Sequence, residues 1–339
     1  MRAARLHGVG DLRVGEEPAP VPTGEQSLVR VGAVGLCGSD LHWYGEAAIG
    51  DAHLEAPLVL GHECAGVVEG GPLDGRLVAV DPAIPCGSCD TCRRGHRNLC
   101  PAVVFAGHGS CDGGLREYLT WPTRLLHPVP GSLSAADAAM LEPLGVALHA
   151  LGLAHVEAAG TVAVIGCGPI GLCLVQLARL AGAATVVAVD PLAHRREAAA
   201  RFGADVVLPA EGAPVRAGLD EVTAGLGVDL AVEVAGTDAA VALALDVVRP
   251  GARVVLTGIP DADTTTFRAS TARRKGLTLL LVRRMGDVYP RTLRLVDRGL
   301  VDVTGLVTHR FPLEGAAEAF AVAHARTGLK VIVEPHRQA

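Results

Sequence analysis

Four cysteines occur close together in a C-x2-C-x2-C-x7-C pattern, within a loop rich in proline and glycine: Cys86, Cys89, Cys92 and Cys100. Four thiolates at this spacing can surround one Zn²⁺ as a tetrahedral shell, with Zn–S bonds of roughly 2.3 Å. A shell of four protein ligands leaves no position for a substrate. The pattern therefore predicts a structural zinc site, and any reactive chemistry must use other residues.

The same cysteines have two other interpretations, a disulfide pair and a thioredoxin-like C-x-x-C motif, and both depend on the redox environment. Nine cysteines in 339 residues is below the density of a secreted disulfide scaffold. The first residues, Met1-Arg2-Ala3-Ala4-Arg5, lack the apolar stretch of a signal peptide. We therefore expect reduced thiols in a cytoplasmic protein, and zinc rather than either alternative.

A glycine-rich motif, Gly166-Cys167-Gly168-Pro169-Ile170-Gly171, follows an apolar run that ends at Ile165 and opens a predicted helix over 172–180. Such a motif is weak by itself, but here a predicted strand precedes it and a predicted helix follows it. Gly166 would permit the tight turn, Gly168 would let the backbone approach a pyrophosphate, and Gly171 would allow close helix packing. The helix N-terminus would add amide donors. The motif predicts a dinucleotide site.

Asp190 ends the next predicted strand, about 20 residues beyond the last glycine. There its carboxylate would accept hydrogen bonds from both hydroxyls of the adenosine ribose and would repel a 2′-phosphate. This predicts NAD rather than NADP. Asp190 could also cap the segment that starts at Pro191, and the nearby Arg195 and Arg196 could contact a phosphate or face solvent. We include Arg195 among the predicted cofactor-binding residues.

Further ligand-type residues fall in three short motifs: Cys37-Gly38-Ser39-Asp40-Leu41-His42, Gly61-His62-Glu63 and Glu142-Pro143-Leu144. A catalytic zinc typically has three protein ligands and one position open for water or substrate. Cys37 and His62 offer sulfur and nitrogen, and either Glu63 or Glu142 can supply the oxygen. Each residue alone has an ordinary structural explanation, but together they predict a second, reactive zinc site.

The elements that must position these residues change in character along the chain. Up to about residue 130, short apolar runs separated by glycine and proline predict a compact β-barrel or sandwich. Beyond residue 160, continuous β-branched runs alternate with alanine-rich segments, which predicts a parallel sheet covered on both faces. These runs span 161–165, 185–189, 205–208, 229–234 and 253–257.

After about residue 283 the chain has one helical stretch, an amphipathic segment over 313–325 and a last strand over 330–334. This tail is too short to bury a core of its own, so we expect it to dock on the first domain. A length of 339 residues and an apolar content of 50% favour two domains.

The composition also limits the possible partners. A net charge of −6, with only short basic patches at 273–275 and 283–284, argues against a nucleic-acid surface. No apolar segment reaches the ~18 to 20 residues needed to cross a bilayer. We expect a protein that acts on small molecules.

Taken together, these motifs resemble the zinc-dependent medium-chain dehydrogenase/reductase family over nearly the whole chain, and its sorbitol and xylitol dehydrogenase branch in particular. Val307-Thr308-His309-Arg310-Phe311-Pro312-Leu313 and Lys330-Val331-Ile332-Val333-Glu334-Pro335 add to the likeness. The resemblance implies an α/β fold: a GroES-like β-barrel catalytic domain over 1–143 and 284–339, and a Rossmann doubly wound parallel-sheet NAD-binding domain over 144–283, with chemistry in the cleft between them. It also implies a homotetramer or homodimer.

The resemblance further implies that Cys37, His62 and Glu63 bind the catalytic zinc together with a water, and that Glu142 stands where other branches place a second cysteine. It remains open whether Glu63 or Glu142 binds the resting zinc. The implied reaction transfers hydride from a secondary alcohol of a polyol, sugar or cyclitol to NAD, giving the ketone. Ser39 would take the hydroxyl proton, which passes through the cofactor ribose to His42.

Three residues are expected to shape the substrate pocket: Trp43, Phe105 and Arg284. Arg284 matches an arginine of the polyol branch, whereas Met285 stands where that branch has a tyrosine, which argues against sorbitol itself as substrate. Threonine-type amino-alcohol, butanediol and aldose 1-dehydrogenases are alternatives within the family. Outside it, the alternatives are a zinc-ribbon binding module and a non-catalytic zinc- or nucleotide-binding sensor.

Overall fold

A computed structural model describes residues 1–260 and 263–338 of the chain. The strands in these residues are β1 Arg2–Gly8, β2 Asp11–Glu16, β3 Gln26–Gly35, β4 Ala48–Ile49, β5 Ala52–His53, β6 Leu58–Val59, β7 Glu63–Glu69, β8 Leu77–Val80, β9 Ala83–Ile84, β10 Val104–Phe105, β11 Tyr118–Pro122, β12 Leu126–Pro128, β13 Thr161–Ile165, β14 Thr185–Val189, β15 Val206–Leu208, β16 Val228–Glu233, β17 Val248–Leu256, β18 Thr278–Leu281, β19 Val307–Pro312 and β20 Lys330–Glu334.

The α-helices are α1 Gly38–Glu46, α2 Asp90–Arg93, α3 Ala135–Ala139, α4 Leu141–Ala154, α5 Pro169–Leu180, α6 Ala193–Arg201, α7 Ala213–Thr223, α8 Asp238–Val247, α9 Ala269–Lys275, α10 Tyr289–Asp297 and α11 Ala316–His324. Short 3₁₀ helices span Gly71–Leu73, Arg97–Leu99, Thr123–Leu125, Thr304–Leu306 and Leu313–Gly315. Among the described helices, none combines the length and hydropathy needed to cross a membrane.

The chain divides into two compact units. The first consists of Met1–Pro143, Tyr289–Arg298 and Val303–Ala339, and the second of Leu144–Val288 and Gly299–Asp302. The division at Pro143 coincides with the expected domain boundary. The expected boundary between residues 283 and 284 differs from the structure, because residues 284–288 and 299–302 belong to the second unit. Met285 gives a physical reason, since its sulfur packs so closely on Gly145 of α4 that a Cβ there would overlap it.

The first unit is built on a largely antiparallel sheet with the strand order β12-β8-β7-β3-β20-β19, in which β11 also pairs with β3. A smaller sheet has the order β2-β1-β6. The short apolar runs predicted as strands lie in β3, β7 and β8. The tail docks on this unit as expected, because β20 pairs with β3 with Ile332 opposite Gly35. Trp43, Leu115 and Phe320 lie in its apolar core.

The second unit contains a parallel six-stranded sheet with the order β15-β14-β13-β16-β17-β18. All five predicted β-branched runs are strands of this sheet. The order reverses between β13 and β16, which gives the strand arrangement of a doubly wound dinucleotide-binding fold. In such sheets, ligands bind at the carboxyl ends of the strands beside this switch point. The glycine-rich motif follows β13 at that edge, as the sequence predicts.

Candidate active site and metal centres

The four clustered cysteines converge in the first unit. Their Sγ atoms all lie within 4.8 Å of one another, around α2 and the 3₁₀ helix Arg97–Leu99. Cys92 and Cys100 are buried, whereas Cys86 is exposed. All nine cysteines of the chain are free thiols, so the disulfide interpretation is wrong for this structure.

Backbone amides of the same loop donate hydrogen bonds to these sulfur atoms. The N–H groups of Cys86, Cys89 and Cys92 donate to the sulfur atoms of Cys100, Cys86 and Cys89, at N···S distances of 3.4, 3.3 and 3.4 Å. Hydrogen bonds from the amides of Ser88 and Cys89 lower the pKa of the Cys86 thiol to about 6. Thiolate is the metal-binding form of cysteine. Burial, together with the neighbouring thiols, raises the pKa of Cys92 to about 12 in the same metal-free cluster. The fit to a closed zinc shell therefore rests on the closeness of the four sulfur atoms and on the amides directed at them.

A second group of potential metal ligands consists of Cys37, His62 and Glu63, which also have ligand atoms within 4.8 Å of one another. Cys37 is the N-cap of α1 and follows β3. Glu63 is the first residue of β7, and His62 directly precedes it. Because β3 and β7 are paired, the strand ends bring the three side chains together. Three donors of different type fit a zinc site that keeps one position open.

Asp40 is a buried acid that contacts two members of this group, Cys37 and His62. It is fully buried, and its carboxylate accepts hydrogen bonds from the amides of Cys37 at 2.9 Å and Gly61 at 3.1 Å. The same carboxylate lies 3.5 Å from His62 Nδ1. Burial opposes a charge on His62, but Asp40 and Cys37 outweigh it and raise the pKa of His62 well above its usual value. With Nδ1 directed to Asp40, Nε2 is the nitrogen left for a metal.

Glu63 has a second buried partner, Lys330. The ammonium group of Lys330 donates to both carboxylate oxygens of Glu63, at 2.8 and 2.5 Å, and to the carbonyl of Leu36 at 2.9 Å. Glu63 pairs across the sheet with Gly35, and a Cβ at that glycine would overlap its carboxylate. Glycine at position 35 therefore leaves the space in which this ion pair forms.

Glu142 lies on the first turn of α4 and is buried. It does not belong to the described group of mutually close ligand atoms formed by Cys37, His62 and Glu63. Burial, together with the negative charge of Glu63, raises the pKa of Glu142 to about 7. The two glutamates therefore differ. Glu63 is paired with Lys330, whereas Glu142 binds a proton more tightly than an ordinary glutamate does.

The other predicted residues of the first unit have different surroundings. Ser39 is partly exposed on the first turn of α1, and His42, one turn later, lies with Nδ1 3.7 Å from Glu46. The Phe105 ring lies beside His62 with their centroids 5.3 Å apart. Trp43 is 2% exposed, with its ring edge-on to His108, so it belongs to the apolar core rather than to an open wall.

The glycine-rich turn of the second unit is shaped for close approach of a ligand. Gly166 has φ +101°, and a Cβ at Gly171 would overlap the Gly166 carbonyl. A Cβ at Gly168 would meet only the guanidinium of Arg195, at 4.0 Å. Gly168 is also the N-cap of the 12-residue helix α5, followed by Pro169 at its first position. The open backbone and the helix N-terminus fit a dinucleotide pyrophosphate.

Asp190 follows β14 and is 2% exposed. One oxygen accepts a hydrogen bond from the Cys167 amide at 2.8 Å and the other from the Leu192 amide at 2.9 Å. Asp190 therefore braces the glycine-rich turn and the entry to α6, while its remaining lone pairs suit ribose hydroxyls. Arg196 donates to the backbone carbonyls of Asp190 and Pro191.

The segment that resembles a polyol-binding stretch lies in the second unit. Arg284 is partly buried and has φ +54°, whereas Met285 is buried against α4. The methionine at position 285 thus fills core space and has no hydroxyl to offer a substrate.

Sequence patterns did not assign two residues that the structure makes central, Asp40 and Lys330. Asp40 stands three residues after Cys37 within a quoted motif, and this spacing is the signal of an acid that caps the same helix turn. Lys330 opens the last strand, whose next three residues form a continuous apolar run, and nothing in that run shows that the lysine is buried as well. A buried lysine in a central strand requires an acidic partner.

Comparison with known proteins agrees with the zinc sites and the dinucleotide site described above. Residues 23–131 match the family model of the alcohol dehydrogenase GroES-like domain, and residues 169–298 match that of the zinc-binding dehydrogenases. Sorbitol dehydrogenase of Bacillus subtilis is 34% identical over 345 residues, which covers 99% of this chain and 98% of that protein.

Two solved structures are similar over almost their full length. L-idonate 5-dehydrogenase from Escherichia coli has a TM-score of 0.91 and 28% identity, with 98% of this chain and 97% of that one covered. An alcohol dehydrogenase from E. coli CFT073, solved with NADH, has a TM-score of 0.89 and 28% identity, with 98% and 99% covered. These findings confirm the GroES-like and Rossmann domains and the need for zinc and a nicotinamide cofactor. The chain therefore belongs to the zinc-dependent medium-chain dehydrogenase/reductase family of alcohol-oxidising enzymes.

Proposed function

We propose that this enzyme oxidises a secondary alcohol of a polyol, sugar or cyclitol to the ketone with NAD. The observation that carries the proposal is the group Cys37, His62 and Glu63, whose ligand atoms lie close together. A zinc ion held by three protein donors keeps a fourth position for a substrate oxygen. The polyhydroxylated substrate is supported by the likeness to sorbitol dehydrogenase and L-idonate 5-dehydrogenase.

In this proposal, Cys37, His62 and Glu63 hold the catalytic zinc, with Glu142 as a second carboxyl group nearby. A bound Zn²⁺ supplies Lewis acidity toward the substrate hydroxyl, and the nicotinamide accepts hydride. Asp40 fixes the ring orientation of His62 and leaves Nε2 for the metal. The four-cysteine cluster holds a structural zinc, so each subunit has two ions.

Proton removal is assigned to Ser39 and His42. Ser39 stands on the first turn of α1, two residues beyond Cys37, and is partly exposed. Its hydroxyl accepts the proton of the substrate hydroxyl and at the same time gives up its own proton toward His42, so that the serine stays neutral. His42 lies on the same helix with 15% of its side chain exposed, so it can pass the proton to solvent.

NAD rather than NADP is proposed because the carboxylate of Asp190 stands beside the glycine-rich turn. A 2′-phosphate near this carboxylate would suffer charge repulsion. Arg195 is proposed to contact the cofactor at Gly168. Steady-state kinetics with both cofactors test this assignment, and a clear preference for NADP would contradict it.

The substrate class is tested by screening polyols, cyclitols, amino alcohols, butanediol and aldoses with NAD, before and after chelation. We expect a polyol or cyclitol to give the highest kcat/KM, and sorbitol to be a poor substrate because residue 285 is methionine. A preference for amino alcohols, butanediol or aldoses would move the enzyme to another branch. Activity that survives complete removal of zinc would contradict the metal's role.

A homotetramer or homodimer in the cytoplasm is proposed from the family resemblance and the reduced cysteines. Light scattering of the purified enzyme measures the assembly, and localisation of a tagged chain measures the compartment.

A further inference from the structure

Arg5, on β1 of the first unit, uses every N–H group of its guanidinium. Nε and one terminal nitrogen donate to the two carboxylate oxygens of Glu17, at 2.8 and 2.9 Å. The terminal nitrogens also donate to the two carboxylate oxygens of Asp112, at 3.0 and 2.9 Å, and to the Pro57 carbonyl at 2.9 Å. A guanidinium has five N–H donors, so none of them is left for another partner.

Asp112 connects this guanidinium to the chain that leads to the reactive metal site. Its Oδ1 also accepts a hydrogen bond from the Val59 amide at 3.0 Å. Val59 lies opposite Arg5 in the pairing of β1 with β6, and His62 follows it by three residues. The carboxylate of Asp112 is therefore bonded both to β1 and to the segment that precedes a predicted zinc ligand.

Asp112 also ends a short loop that begins beside the same ligand. The loop over 105–112 starts at Phe105, whose ring centroid lies 5.3 Å from that of His62. Its middle is a tight turn, in which the Gly107 amide donates to the Cys111 carbonyl at 2.9 Å. Because the turn is tight and Asp112 is held at its end, the loop has little freedom to move Phe105 away from His62.

The backbone after Asp112 is held independently of its side chain. The next three amides donate to carbonyls of the segment before His62, at 2.6, 2.7 and 3.0 Å: Gly113 to Val59, Gly114 to Gly61 and Leu115 to Leu60. Removal of the Asp112 carboxylate should leave these bonds in place. The carboxylate therefore acts on the loop before it, through a two-point contact with Arg5 in which both side chains are about three-quarters buried.

We propose that Arg5 and Asp112 are positioning residues for the reactive zinc site, because they hold the loop over 105–111 so that Phe105 stays packed against His62. Asp40 restrains the His62 ring through Nδ1, and Phe105 supplies a second restraint from the ring's other surroundings. This inference deepens the proposed function and rests on its assignment of His62 as a zinc ligand.

The test measures the rate at which the full-length, zinc-loaded enzyme releases zinc to an excess of a chromophoric chelator. His62→Ala identifies the kinetic phase of the reactive site, since that phase should be missing in it. Asp112→Ala and Arg5→Met remove the two halves of the contact, and Phe105→Ala removes the ring on which they are proposed to act. Asp112→Ala is also combined with Phe105→Ala.

Asp11→Ala is the matched control. Asp11 forms the same two-point contact with Arg13 on the neighbouring hairpin, at 2.8 and 2.6 Å, but this pair is exposed and distant in sequence from the loop. Its zinc release should equal that of the wild type.

We expect Asp112→Ala, Arg5→Met and Phe105→Ala each to release the reactive zinc about tenfold faster, at the lower end of the effects seen for residues behind a metal ligand. The double variant should stay within about twofold of Phe105→Ala alone, because residues that act through one another have non-additive effects. Hydrogen exchange of peptides over 105–111 should be faster in Asp112→Ala, while exchange over 161–165 in the second unit stays unchanged.

Additive effects in the double variant would show that Asp112 supports the fold in general, and would overturn the proposal. Unchanged zinc release would overturn it as well. If Asp112→Ala does not fold, Arg5→Met combined with Phe105→Ala gives the same comparison. Wild-type enzyme that binds only one zinc would instead contradict the proposed function, and hydrogen exchange would still test whether Asp112 anchors the loop.

Discussion

Lys330 Nζ lies 2.8 and 2.5 Å from the two carboxylate oxygens of Glu63, and both side chains are almost completely buried. Glu63 also has an oxygen within 4.8 Å of the ligand atoms of Cys37 and His62. One carboxylate therefore faces a fixed ammonium group and a metal site. Because a carboxylate has about four lone-pair positions, it can keep the lysine while it offers an oxygen to zinc.

Lys330→Met should destabilise the zinc-free protein by about 3–5 kcal/mol, the usual cost of leaving a buried charge without its partner. Zinc should restore much of this loss, because the metal supplies positive charge next to Glu63. Denaturant titration with and without zinc measures both effects.

Arg310→Gln is the matched control for that change, since Arg310 forms an exposed ion pair with Glu334 on the neighbouring strand. We expect a loss of less than about 1 kcal/mol there, with no dependence on zinc. A similar small loss for Lys330→Met would mean that the buried pair does not stabilise the fold.

Much of the site follows from sequence because its residues sit in local motifs. The glycine-rich turn could be placed after β13 and before α5 since spacing alone defines a strand, a turn and a helix. Lys330 could not be found in this way, because its partner Glu63 is 267 residues away. The two meet only because β3 pairs with β20 on one side and with β7 on the other. The domain boundary near residue 288 depends likewise on the packing of Met285 against Gly145, which no local pattern reveals.

Asp40→Asn should lower the affinity of the reactive site for zinc by about 10- to 100-fold, as expected when the carboxylate behind a histidine ligand is neutralised. Asparagine has only one side-chain oxygen, so it can keep the hydrogen bond from the Cys37 amide but not also the one from Gly61. With that oxygen on the Cys37 amide, the helix start should persist. Competition with a chromophoric chelator measures the affinity.

Asp137→Asn is the control for that experiment, because Asp137 forms the same kind of capping box with Ser134 at the start of α3. Its zinc affinity should equal that of the wild type. If both variants lose zinc equally, helix capping rather than the contact with His62 explains the effect.

Glu142 should make the zinc-free enzyme lose stability as the pH rises. Its folded pKa of about 7 lies above its ordinary value of 4.5, so the folded state binds the proton more tightly than the unfolded state. The cost of ionising Glu142 is absent below pH 4.5, grows up to pH 7 and reaches about 3 kcal/mol. Glu142→Gln removes this cost, so its stability relative to wild type should increase across that range. Equal pH profiles by denaturant titration would rule out the effect.

Ser39→Ala should lower kcat by roughly 10²- to 10⁴-fold, the usual contribution of general base catalysis, while zinc content and the Kd of NADH stay unchanged. Ser39→Thr keeps the hydroxyl and should recover most of the activity. Unchanged turnover in the alanine variant would remove Ser39 from the proton path.

The two metal centres should respond differently to loss of a ligand. Cys89→Ser opens a closed shell whose metal binding contributes to folding, so we expect a lower melting temperature or failed assembly. His62→Ala affects a site held by a sheet that is already formed, so the protein should fold, keep the structural zinc and lose turnover. Cys111→Ser is the control, since Cys111 lies outside both clusters and should change neither property. Metal analysis with calorimetry and kinetics separates these outcomes, and a folded, active Cys89→Ser enzyme without its second zinc would contradict the structural role.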